Sequence, residues 1–173
     1  MSHEERPALD PVELRRTMGR FATGVAVVTT IADGQAHGMT VNSLTSVSLD
    51  PPLLLVSLMP EARTTEAIRA AGRFAVSVVA ARQESIARRF AKTGEDHFAG
   101  LPLEYGNHEV PVVPDSLAHL ECVTEQEIPA GDHVLVLGRV VATCARDGHP
   151  LAFYAGSFGE FTAGGQAPAD WFF

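Results

Sequence analysis

Between Gly38 and Thr65 the sequence gathers short side chains that donate and accept hydrogen bonds. Thr40, Asn42, Ser43, Thr45, Ser46 and Ser48 come first; an apolar run, Leu53 to Leu58, then leads to Arg63, Thr64 and Thr65. A strand so rich in hydroxyls does little to build a core, because each buried hydroxyl needs a partner. A surface that hydrogen-bonds a polar, phosphorylated ligand accounts for it more economically. A phosphate carrying about two negative charges suits an arginine, hydroxyls and the open amides of a helix N-terminus. Arg63-Thr64-Thr65 stands where a helix can start. The same residues also suit a plainer role, with Thr64 or Thr65 as a helix cap and Arg63 as a solvated charge, and residue types alone do not choose between the two.

Other chemistries find less support. No Gly-x-Gly-x-x-Gly and no Walker loop occurs, so a Rossmann or P-loop nucleotide site is not expected. No Gly-x-Ser-x-Gly elbow supports a serine nucleophile. His119 and Cys122 resemble a metal pair, but an offset of three on a strand points them to opposite faces, so no metal site is expected. Glu125 and Glu127 share a strand face, and beside a turn they read as solvated. His133 follows Gly131-Asp132 at the start of a strand; a capping aspartate with a surface histidine and a ligand-directed histidine both fit.

The elements that must position these residues are short. Asp10-Pro11-Val12-Glu13 opens a helix, with Leu14, Met18 and Phe21 on one face and Gly24 as its stop. Strands are expected at Val25–Thr30, Gly38–Val41, Leu53–Leu58, Phe74–Val79, His119–Glu127 and His133–Ala145, with Leu151–Tyr154 last; Asp33-Gly34 marks a hairpin. Helices are expected up to Ala71, ended by Gly72, and over Gln83–Phe90. Gly138 inside a strand suggests a bulge or a close backbone approach. Lys92 to Val113 reads as a long excursion of functional interest. Many short strands with few helices point to a closed or packed β architecture.

The totals bound the rest. The 173 residues, 46% hydrophobic and 20% charged, suit one globular domain. A net charge of -8 argues against nucleic acid and anionic membranes as partners. The N-terminus lacks the apolar core of a signal peptide, no apolar run approaches a membrane span, and Cys122 and Cys144 read as free thiols, so a cytoplasmic location is expected. The terminal Trp171-Phe172-Phe173 is too apolar for a free tail and is expected to dock.

Several fragments recur together in one known pattern: Phe21 to Thr30, Gly38 to Thr65, Gly72 to Val78, Phe90-Ala91, Gly131-Asp132-His133 and Pro150 to Tyr154. As a set, spanning Leu14 to Phe161, they resemble the flavin reductase-like proteins of the FMN-binding split-barrel class. The resemblance implies a mainly β fold, a Greek-key split β-barrel with a few flanking helices, as a single domain over 1–173 with its core at about 11–161 and a tail from 162. It also implies FMN (or FAD) contacts from Gly38, Met39, Thr40, Val41, Asn42 and Ser43, from Ser57, Leu58 and Met59, and from Phe90 and Ala91. Asp96 or His97 would lie over the cofactor, and Arg63, Thr64 and Thr65 would take the phosphate.

The same resemblance sets Asp132 and His133 beside a nicotinamide, with His133 as the residue of catalytic interest. Phe153, Tyr154 and Phe158 are candidates to stack there, or else core or dimer contacts. The implied activity is hydride transfer from NADH (or NADPH) to flavin, with reduced flavin passed to a separate flavin-dependent oxygenase, by a homodimer. No basic cluster stands out for a 2'-phosphate, which favours NADH. The alternatives are an FMN carrier or sensor without turnover, and an oxidase similar to pyridoxamine phosphate oxidases.

Overall fold

Alternation of apolar and polar side chains, and hairpin turns with the right residues in them, decide this architecture. The structure is a computed structural model that describes residues 9–94, 96–102, 104–162 and 164–165. The elements are α1 (Pro11–Met18), β1 (Thr23–Gly24), β2 (Ala26–Ala32), β3 (Gln35–Val41), β4 (Thr45–Leu49), β5 (Pro52–Leu58), α2 (Arg63–Ala71), β6 (Arg73–Val78), α3 (Glu84–Phe90), β7 (Glu104–Tyr105), β8 (Pro111–Val112), β9 (Ala118–Ala130), β10 (His133–Ala145), β11 (Leu151–Tyr154) and β12 (Ser157–Glu160).

Seven strands form one antiparallel sheet in the order β3-β2-β6-β9-β10-β5-β4. Inward residues of six of these strands meet in a single cluster that takes Val28 from β2, Val41 from β3, Val56 from β5, Phe74 from β6, Cys122 from β9 and Val136 from β10, with Ile68 of α2 inside it. A sheet in which strands as far apart as β3 and β5 reach one interior is curled into a barrel. Its two edges, β3 and β4, do not pair, and residues 42–44 cross the split between them. This is the mainly β split barrel that the resemblance implied. A small sheet, β1-β11-β12, and a ribbon, β7-β8, lie outside it.

Local chemistry explains the turns. Asp33 and Gly34 both adopt positive φ, 50° and 75°, as a two-residue hairpin between strands of right-handed twist requires. Gly131, at φ 66°, does the same work between β9 and β10, so that Ala130 faces His133. At Gly138 the register shifts, and a Cβ there would lie 2.5 Å from the Phe74 ring. The strand bulges because that ring already fills the barrel.

Three expectations need correction. α1 starts at Asp10 as expected, its carboxylate accepting from the amide of Val12, but it ends at Met18 rather than Gly24. Its apolar residues do not face a core: Leu14, Met18 and Phe21 are all exposed. At α2 the cap is Ala62, without a side-chain bond, and Thr64 and Thr65 lie within the first turn. Leu151–Tyr154 is not the last strand, since β12 returns along it through the turn at Ala155 and Gly156. The terminal aromatics lie outside the described residues.

The remaining candidates of plain chemistry resolve simply. Glu125 pairs with Arg139 and Glu127 with Arg69, both at the surface. Cys122 is buried and Cys144 half-buried, both free, and burial beside Glu121 pushes the Cys122 thiol up to about 12.

Candidate functional site

The start of β3, the turn into α2 and the segment after α3 converge on a cleft of about 840 Å³. Of the expected cofactor residues, Gly38, Met39, Thr40, Met59, Arg63, Thr64, Phe90, Ala91 and Asp96 line it. Three separate stretches of sequence meet here because β3 is a barrel edge and both helices pack along it. α2 presents its N-terminus: Ala62 folds back onto the carbonyl of Met59, and the amides of a first helical turn have no intrahelical acceptor. The buried Thr65 hydroxyl in that turn has no hydrogen-bond partner among the described residues, whereas Thr64 opens to the cleft.

Gly38 is needed here for space. A Cβ at this position would meet Phe90 Cε1 at 2.7 Å, so only glycine lets the ring lie against β3. Thr40 is not the ligand-facing hydroxyl that the composition suggested, because its Oγ1 donates to the Ala87 carbonyl at 2.7 Å and ties β3 to α3. Ser43 is likewise engaged, donating to the Ser57 carbonyl at 2.9 Å and accepting from the Ser57 amide at 3.1 Å. That pair closes the split against β5. Asp96 accepts from the amide of Phe98 at 3.0 Å, which shapes the loop.

A second cavity, about 740 Å³, lies at the other end of the split, where Asn42, Ser43, Leu44 and Phe153 meet Arg15, Met18 and Phe21. So the expected cofactor residues fall along one line, the β3 edge and its continuation, but open into two neighbouring hollows. Val41 and Leu58 line neither; both side chains are buried in the barrel core. Asn42, exposed on this line, keeps both a donor and an acceptor for a ligand edge.

His133 opens β10, and its neighbour Val134 pairs with Leu58, which places it beside the end of β5 and next to Met59 of the cleft wall. Its Nδ1 lies 2.7 Å from Asp132 Oδ1. That hydrogen bond, with the charge of the ring, lowers the Asp132 carboxyl. It also fixes the ring's orientation and leaves Nε2 for a ligand.

The aromatic candidates sit elsewhere. Phe153 and Phe158 pack edge to face at 5.4 Å, Arg88 stacks 4.9 Å over Phe158, and the Tyr154 hydroxyl accepts from Arg20 at 3.4 Å. They belong to the small β1-β11-β12 sheet, and within one copy of the chain no described contact joins them to His133.

Two contributors were missed at the sequence level. At the second cavity, Arg15 belonged to no motif and Met18 looked like part of an apolar helix face. Glu121, fully buried, holds the excursion in place by accepting from the amides of Asn107 and His108 at 2.9 and 2.7 Å and from the His108 ring at 3.2 Å. Its place in an alternating strand gave no hint of this, because the partners lie in a loop without a pattern.

The cleft suits a flavin phosphate on its own chemistry: a cationic Arg63, a hydroxyl and first-turn amides on one side, and Gly38 with Phe90 on the other. Its volume lies within the range usual for cofactor sites, roughly 300–1,000 Å³.

Comparison with known proteins identifies the family by a separate route. An NADH-dependent flavin reductase of Rhodococcus sp is 43% identical over 155 residues, 88% of this chain and 87% of that protein. The reductase subunit HsaB of a flavin-dependent monooxygenase from Rhodococcus jostii is 36% identical over 165 residues, 95% of this chain and 85% of the subunit. Among solved structures, the Streptomyces globisporus C-1027 NADH:FAD oxidoreductase SgcE6, in complex with NAD and FAD fragments, superposes with a TM-score of 0.85 at 37% identity, covering 93% of this chain and all of that one. The model of the flavin reductase like domain matches residues 18–162, and the chain belongs to that family.

Proposed function

We propose that this chain is an NAD(P)H-dependent flavin reductase that supplies reduced flavin to a separate oxygenase. The observation that carries the reading is the meeting of Arg63 and Thr64, at the start of α2, with Gly38–Thr40 and Phe90-Ala91 in one cleft. When bound, the flavin accepts hydride from the nicotinamide, and the protein needs no nucleophile of its own. Arg63 and Thr64 hold the phosphate, Phe90 and Gly38 form the wall behind it, and the amide of Asn42 serves the ring edge. Backbone groups of Val41, Ser57 and Leu58 are the contacts those residues can offer, since two of the side chains are core. His133, oriented by Asp132, positions the dihydropyridine or its phosphates through Nε2.

The proposed cofactors are FMN or FAD with NADH. Two relatives named above are NADH enzymes by name, and the described residues show no basic cluster dedicated to a 2'-phosphate. The proposed assembly is a homodimer. In support, Met18 of α1 and Phe21 beyond it are exposed at the second cavity, Leu14 is exposed on the same helix, and His133 and the Phe153–Tyr154–Phe158 group are separate within one copy. A second copy would cover the first and could join the other two. The free thiols of Cys122 and Cys144 are in keeping with a reducing compartment.

Arg63→Ala tests the reading. Losing a charge-assisted contact to phosphate costs about 1.5–3 kcal/mol, roughly ten- to hundredfold in FMN affinity. Riboflavin, which lacks the phosphate, keeps its affinity within about twofold. Equal losses for both flavins would remove Arg63 from the phosphate.

A further inference from the structure

One wall of the larger cleft is the chain that follows α3, and His97 fastens it. Its Nδ1 lies 3.0 Å from the carbonyl oxygen of Gly38 and its Nε2 lies 2.8 Å from that of Lys92. The ring packs on Phe90, centroids 5.3 Å apart, and Phe90 fills the space left by the missing side chain of Gly38. Both groups facing the imidazole are acceptors, so each ring nitrogen must donate to satisfy them. A neutral imidazole carries one N–H and the imidazolium carries two.

The electrostatic consequence falls on the cleft. Around it stand Arg63 and Lys92, with Glu61 and Asp96 of opposite sign, in a chain of net charge -8. Two carbonyl oxygens on the wall add further negative potential unless something covers them. Ring N–H groups that donate to both oxygens cover them and lessen that potential for an entering anion.

We propose that His97 is a positioning residue for the flavin phosphate: as an imidazolium it binds the carbonyls of Gly38 and Lys92 together, sets residues 92–94 and 96–98 as the cleft wall and offsets the negative field there. The proposal rests on the reading of this cleft as the flavin site. A purely structural tie would hold FMN and riboflavin alike, while a charge-bearing one distinguishes them.

Fluorescence titrations of FMN and of riboflavin, on the wild-type chain and on His97→Gln, His97→Arg and Arg63→Ala, test it. His97→Gln is expected to lose about tenfold in FMN affinity and to hold riboflavin within about twofold. His97→Arg, whose guanidinium donates from several nitrogens and stays charged, is expected to recover most of the FMN affinity. Equal weakening of both flavins in His97→Gln, or no change in either, overturns the proposal. Preference for FMN lost in Arg63→Ala but kept in His97→Gln overturns the role of His97 alone. Preference kept in both variants overturns the phosphate reading as well. Should His97→Gln fail to fold, His97→Arg decides: FMN preference retained supports the proposal and FMN preference lost contradicts it.

Discussion

A Cβ on residue 38 would stand 2.7 Å from Cε1 of Phe90 and 3.2 Å from Cγ2 of Thr29. The edge strand of the barrel and the end of α3 therefore touch directly, and the cleft takes its shape from that contact. Gly38→Ala should push the ring outward into the cleft. The expected cost is about 1–3 kcal/mol of stability by denaturant unfolding, with a parallel loss of FMN affinity. A variant as stable as the wild type would mean that the ring moves freely and does not define the wall.

Thr40→Val separates a structural hydroxyl from a ligand hydroxyl. The side chain keeps its volume and loses one hydrogen bond to the carbonyl of Ala87, which also accepts from the amide of Ala91. Because that acceptor keeps a partner, the expected cost is about 0.5–1.5 kcal/mol of stability, and FMN affinity should stay within about twofold. A tenfold fall in affinity at normal stability would return Thr40 to the ligand.

Glu121 gives the fold a defined acid sensitivity. Burial alone would raise its carboxyl, but the amides of His108 and Asn107 and the His108 ring together outweigh that and hold it below the usual carboxylate range. A depressed value in the folded state means that the stabilisation is present above the unfolded carboxylate value and is lost as pH falls through the folded one. Hydrogen exchange at the amides of Asn107 and His108, read as protection relative to the intrinsic rate, should therefore stay slow through the ordinary carboxylate range and lose that protection only on further acidification. Glu121→Gln should quicken it at neutral pH as well. Exchange that ignores both acid and the substitution would show that this carboxylate does not hold the excursion.

His133→Ala addresses the nicotinamide. With its Nδ1 committed to Asp132, only Nε2 is left to position a second ligand. The variant should reduce bound flavin ~100-fold more slowly, since small displacements of reacting groups cost that much, with FMN affinity within about twofold. Near-normal rates would make His133 a surface residue. Joint loss of FMN affinity and melting temperature would assign it to the fold.

Much of this was legible in the chain, and the reasons are physical. Strands with a buried face declare themselves by β-branched and apolar residues, and Asp33-Gly34 and Gly131 mark turns that few other residues can make. Gly138 was readable as a close approach before Phe74 was known to be its cause. The failures share a different origin. Leu14, Met18 and Phe21 have the spacing of a core-facing stripe, but periodicity reports an apolar face and not what covers it. Thr40 and Ser43 have ligand-binding chemistry, yet the barrel uses those hydroxyls to join β3 to α3 and to close its own split. His97 and Glu121 act through loop backbone, and such partners leave no periodic trace.

The central claim is that the chain itself passes electrons from a nicotinamide to a flavin. Anaerobic stopped-flow mixing of the purified protein and FMN with NADH measures this directly, through the loss of oxidised-flavin absorbance. The account predicts protein-dependent bleaching at a rate that saturates with NADH and that falls in His133→Ala. Firm FMN binding with no bleaching by either NADH or NADPH would contradict it and leave an FMN carrier.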